Sequence, residues 1–160
     1  MESAAGRPQP GKRLAWWYAI HRENKETRRL HDSLKKLSEI PGSWRPLTYL
    51  AMKELEDNKT GNALALYKKV LAAAPGQGDA LAIVSGDLAS RGHIRDALNL
   101  VYPLYDARRH GHSTGINLIQ TRISLKEREK GLLLCDAVEQ LGRADLKERI
   151  KEMREKLLNL

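Results

Sequence analysis

Five histidines, a lone cysteine and a few acidic pairs are the residues of this 160-residue chain that could carry chemistry. His110-Gly111-His112 sets two imidazoles close enough to share a metal ion, but no nearby Cys or carboxylate pair completes a site of known geometry. The bland reading is a pair of loop histidines; His21, His31 and His93 stand alone. Glu54 and Glu56 read as solvated positions on a helix face. Cys135 falls at an apolar helical position, which suits a buried, inert thiol rather than a nucleophile. A single cysteine also rules out an internal disulfide and fits a reducing compartment. No phosphate-binding loop, dinucleotide glycine pattern, His-Glu-x-x-His or nucleophile elbow occurs. The residues therefore predict no enzyme, no cofactor and no metal.

The elements that would hold these side chains read as helices. Charged residues make up 30% and apolar residues 41%, Phe is absent, and Val-Ile-Thr alternation and Asn-Gly hairpin signals are missing. The expected class is all-α. No run of about 18 apolar residues is present, and the short stretch Leu14–Ile20 has no small-residue cleavage site after it, so a cytoplasmic protein is expected. The net charge is +8, and residues 1–43, with nine Lys/Arg against five Asp/Glu, hold half of it.

Three stretches echo one another: Ala63–Tyr67, Ala97–Val101 and Gly131–Cys135, each 34 residues after the last. A fixed period of this size marks a solenoid, whose units cannot bury their apolar faces alone. The frame divides the chain into 44–77, 78–111 and 112–145, each a pair of antiparallel helices. Equivalent apolar positions are Leu47, Leu81 and Gly115; Leu50, Val84 and Leu118; and Val70, Leu104 and Val138. Leu100 is expected in the core. Breaks fall at Asp57-Asn58-Lys59 and Arg91-Gly92-His93, and Pro103 should kink or shorten the second helix of unit two.

Residues 1–11, rich in Pro and Gly, are expected to be disordered, and 12–43 to form a helical extension. Within it Leu30, Leu34, Leu37 and Ile40 give the apolar stripe, Pro41-Gly42 the stop, and His21 to Arg29 a solvated or bent segment. Leu146, Ile150, Met153 and Leu157 mark a final helix over 146–160 whose charged outer face would cap the array.

Residues 44–145 resemble the tetratricopeptide repeat (TPR) family. Small Ala51 and Ala63, aromatic Tyr67 and Pro75 carry the likeness in unit one, and Gly92–Ala97 carries it in unit two. Unit three departs from the pattern at Gly115 and Gly131. The resemblance implies a short right-handed superhelical solenoid whose first helices line a concave peptide groove. Laid on this chain, that groove comprises Thr48, Met52, Leu55, Ala82, Gly86, Ala89, Ile116, Gln120 and Ile123, a small and mainly apolar surface. The Lys/Asn clamp with which one sub-class holds acidic chaperone C-termini is missing apart from Asn117, since the other equivalent positions are Thr48, Met52, Ile83 and Ser113.

The expected function is a non-enzymatic adaptor or scaffold that binds a peptide or amphipathic helix of another protein. Trp16, Trp17 and Tyr18 are candidates for an N-terminal anchor, and an exposed cluster there would support a homodimer through the N-terminal helix. The layout is also similar to the translocator chaperones of type III secretion. A basic, RNA- or ribonucleoprotein-associated protein is the alternative from a second class, although the repeats are nearly neutral and no aromatic–basic stacking platform recurs.

Overall fold

The computed structural model describes residues 10–23 and 27–160. Residues 1–9, most of the stretch expected to be disordered, and 24–26, inside the segment expected to be solvated or bent, lie outside the described residues. The described residues are helices and turns with no strand, as the composition predicts, and none of these helices is long and apolar enough to cross a membrane. The described residues form two compact units, divided between Ala73 and Ala74.

The first unit holds α1 (Pro10–Glu23), α2 (Thr27–Ser38), α3 (Trp44–Glu56) and α4 (Thr60–Ala73). Pro10 opens α1, where its missing N–H costs nothing, so the helix starts two residues before the expected extension. The α2 stripe buries Leu30 and Leu34 and half-buries Leu37. Ile40 is exposed because α2 ends at Ser38, ahead of Pro41. In α3, Leu50, Ala51 and Leu55 turn inward, and in α4 Ala63, Tyr67 and Val70 do so, at the i, i+3, i+4, i+7 spacing of a helix buried along one face. Tyr18, Leu30, Leu34 and Leu50 form a cluster joining α1, α2 and α3, with Leu14, Trp17, Leu47, Tyr49 and Leu66 packed on it.

The second unit holds α5 (Gly78–Ser90), α6 (Ile94–Val101), α7 (Ala107–His110), α8 (His112–Ser124), α9 (Arg128–Glu139) and α10 (Lys147–Leu158). Helix α5 packs on α6 and α8, α8 on α9, and α10 on α9 and α8. Pro103 has the expected effect: α6 stops at Val101 and passes into a 3-10 turn, Tyr102–Leu104. This moves Leu104, expected beside Val70 and Val138 in the core, out to 51% exposure. Leu100 is likewise only half-buried, and its neighbour Val101 takes the fully buried place. The final stripe of Leu146, Ile150, Met153 and Leu157 is buried throughout, and Arg154 ties α10 to α9 by donating to Asp136 at 2.7 Å and Glu139 at 2.6 Å.

Helices α3, α5 and α8 start at Trp44, Gly78 and His112, at 34-residue intervals. The three turns that follow them share one backbone pattern. Lys59 N–H donates to Glu54 O at 2.8 Å, His93 to Leu88 at 2.9 Å and Glu127 to Arg122 at 2.9 Å, the six-to-one bond of a Schellman helix end. The residue before each donor is left-handed: Asn58 at φ 58°, Gly92 at 85° and Lys126 at 57°. Glycine takes this conformation freely, Asn tolerates it, and a lysine Cβ is strained by it. Lys126→Gly is therefore expected to stabilise the chain by about 0.5–1 kcal/mol, read as a higher urea midpoint; an unchanged or lower midpoint would contradict this account of the turn.

The two glycines that break the resemblance in unit three sit at close approaches. A Cβ on Gly115 would lie 2.4 Å from Tyr105 Oη and 2.5 Å from Val138 Cγ2. One on Gly131 would lie 2.4 Å from Leu157 Cδ2, and Leu157 is itself fully buried against α9. Small residues here let α8 and α9 approach their neighbours.

Candidate functional site

An apolar cavity of about 780 Å³ opens in the first unit. Three separate elements build it. Helix α1 supplies Leu14, Trp16 and Trp17; α2 supplies Leu37; the first turn of α3 supplies Trp44 and Pro46, with Arg45 beside them. Pro46 can occupy that first turn because its missing N–H has no intrahelical partner to lose. The Trp44 indole is almost fully buried, and the Arg45 guanidinium stands 4.4 Å above its ring, a cation–π contact that holds positive charge at the edge of an apolar wall.

The residues expected to anchor a partner separate. Tyr18 is buried and stacks on Tyr49 with centroids 4.3 Å apart, while burial pushes the Tyr49 hydroxyl pKa upward. Trp17 is half-buried against the same cluster. Trp16, one position further round the helix, is 69% exposed. Of the three, Trp16 is the one with substantial free surface, and it borders the cavity. Trp44, Leu37 and Pro46 were not singled out from the sequence as binding residues; the only signal was that Trp44 adds an aromatic to the cluster at 16–18, some 26 residues away in the chain.

Several residues expected in the groove do not face solvent. Thr48, Leu55 and Ile116 are buried, because each lies on the inward stripe of its helix, so they cannot present a face to a ligand. Thr48 Oγ1 instead donates to Arg45 O at 2.6 Å within α3. Met52 is half-buried. In the second unit Gly86, Ala89 and Gln120 share a cleft of about 260 Å³ between α5 and α8, where Ile94 adds apolar surface and Ser90, Asn117, Thr121 and Ser124 add polar groups to the wall. Ala82 lines a neighbouring cleft instead, beside His110 and His112, and Ile123 is half-buried outside both. Asn117, the one residue matching the clamp pattern, is used internally: its Nδ2 donates to Ala82 O at 3.0 Å and Ser85 Oγ at 3.1 Å, pinning α8 to α5.

Some of the groups that could carry chemistry take part in structural contacts. His110 Nδ1 accepts from the Asp106 backbone N–H at 2.9 Å, and Asp106 in turn caps α7 by accepting from Arg109 N–H. No group of three or more His, Cys, Asp or Glu is placed to hold a metal among the described residues. Cys135 is buried, and burial pushes its thiol above the ordinary range, away from the reactive thiolate. Tyr105, donating to Gly111 O at 2.9 Å, is pushed up to about 12 by burial and by the charge of Asp106.

No family model, curated protein or solved structure matches this chain.

Proposed function

We propose that this chain is a non-enzymatic protein-binding adaptor built from TPR-like helix pairs, which takes an apolar or amphipathic segment of a partner protein in its N-terminal cavity. The observation that carries the reading is the 69% exposure of Trp16 beside a cavity walled by Leu14, Trp17, Leu37, Trp44 and Pro46. Large apolar side chains grouped at the surface of a folded chain mark interaction sites, and Trp and Arg dominate interface energetics. The TPR-like part of the reading is supported by helix starts at 34-residue intervals and by three turns of one backbone pattern. The binding surface differs from the groove that the family resemblance implies, since it draws on α1 and α2 as well as α3.

Affinity capture from the source cell with the native chain and with Trp16→Asp tests the reading. Trp16 makes little of the core, so the substitution is expected to change stability by no more than about 0.5 kcal/mol while a retained protein is lost. Identical retained proteins from both would exclude the cavity as the binding surface. A dimer in sedimentation that Trp16→Asp converts to monomer identifies the partner as a second copy. Tight, salt-sensitive binding to generic RNA would overturn a purely protein-binding function.

A further inference from the structure

A further cavity, of about 330 Å³, lies wholly within the second unit, where α6 faces the junction of α8 and α9. Its apolar wall includes Leu98, Tyr102 and Leu125. Its charged lining is unequal: Arg95, Arg122 and Lys130 face a single carboxylate, Glu127. Arg122 is the unusual member. Its side chain is more than nine-tenths buried, its guanidinium lies 4.7 Å from the Tyr102 ring centre, and its Nη1 donates to Glu127 Oε2. Its Nε–H is buried and has no acceptor among the described residues.

A buried charged donor without an acceptor carries its desolvation cost uncompensated, and most such groups in folded proteins are paired. Glu127 does not relieve it in this arrangement: one carboxylate oxygen accepts from Arg122 Nη1 and the other faces Lys130 at 3.7 Å, and the Arg122 bond is the main reason the Glu127 pKa falls below the ordinary range. Two cations thus remain in surplus around an open donor. We propose that this cavity binds a carboxylate group, with the Arg122 Nε–H as its buried donor and Arg95 and Lys130 as its outer cations. A carboxylate matches the fork of a guanidinium and adds one negative charge, whereas a dianion would meet stronger repulsion from Glu127. The apolar wall suits the short hydrocarbon arm of an acidic side chain or a small dicarboxylate, and the volume lies at the lower end of ligand pockets. The site involves none of α1 to α4, so it stands or falls separately from the N-terminal cavity.

The test follows the Arg122 Nε–H resonance of the full chain in ¹H–¹⁵N spectra at neutral pH, with circular dichroism as the check on fold. The probes are glutarate, a blocked Gly-Glu-Gly peptide and inorganic phosphate. Glutarate or the peptide is expected to move the resonance saturably, and the double variant Arg95→Ala/Lys130→Ala, which alters exposed side chains, to weaken saturation about five- to tenfold. A response to the peptide identifies an acidic side chain of a partner as the source, and a response to glutarate alone identifies a free small carboxylate. Arg122→Gln removes the resonance itself and serves to assign it, so the double variant carries the test of the site. A resonance that none of the probes moves, that moves without saturating, that phosphate moves as strongly, or that responds equally in the double variant would overturn the proposal.

Discussion

Tyr67→Ala is expected to lower the unfolding free energy by about 3–5 kcal/mol. Tyr67 heads the fully buried side chains by volume, and it lies on the inward stripe of α4 between Ala63 and Val70, both also fully buried. Truncation removes the whole ring, and its neighbours have no exposed flank from which to collapse into the space. Part of the loss is the transfer free energy of the ring and part is the cavity left behind. Leu66, next to it but only half-buried, provides the control: Leu66→Ala should cost clearly less. Thermal unfolding followed at the helical signal measures both, and a shift on the order of 10 °C is expected for Tyr67→Ala. Equal midpoints for the two variants would mean that α4 packs through a different face.

Gly115→Ala is expected to destabilise the chain by about 1–3 kcal/mol through overpacking, although alanine is the better helix former by about 1 kcal/mol at an unconstrained position. The two effects have opposite signs, and the contacts decide between them. The new methyl group would lie 2.4 Å from Tyr105 Oη and 2.5 Å from Val138 Cγ2, far inside van der Waals contact. Val138 is fully buried in α9, and Tyr105 is held by its bond to Gly111 O, so neither side has an easy way out. Relief requires the Tyr105 ring to move toward solvent. The same substitution should then bring Tyr105 ionisation down from about 12 toward the ordinary 10.0, visible in an ultraviolet alkaline titration. The sign follows from linkage: a raised folded pKa lets the native state hold a proton that the unfolded state releases between 10.0 and about 12, so stability falls as pH rises through that range. Losing the shift removes that part of the alkaline loss. A Gly115→Ala chain of equal or higher stability would show that the α8 approach is looser than these distances.

The sequence carried the features that depend on local physics. Leu146, Ile150, Met153 and Leu157 are legible as a buried stripe because helical spacing alone puts them on one face, and all four are buried. Pro103 is legible as a helix stop because its missing N–H and its ring act on its own backbone. Leu104 then escaped the core because the 3-10 turn rotates it off the stripe that the period assigns to it. Leu100 shows the same limit in milder form: an apolar residue on a helix can sit at the edge of the buried sector, and only the position of the packed neighbours decides between it and Val101.

The candidate sites depended more heavily on tertiary structure. Thr48, Leu55 and Ile116 look like groove residues when a repeat pattern is laid on the chain, but the inward rotation of each helix buries them. Trp16 and Trp44 carry no spacing that links them; they border one cavity because α2 packs on both α1 and α3. Gly115 and Gly131 look like decay of the repeat pattern in one dimension and prove to be places where no Cβ fits. Arg122 carries no signal at all in the sequence: Glu127 is only five residues away, but the Tyr102 ring beside its guanidinium comes from the turn after α6. By itself the sequence determined helix type, helix spacing and the residues that stop each helix, since these arise from backbone and side chains within a few positions of one another. Tertiary structure decided which residues are left facing solvent and which charge is left without a partner, because burial and pairing belong to neighbours that are distant along the chain.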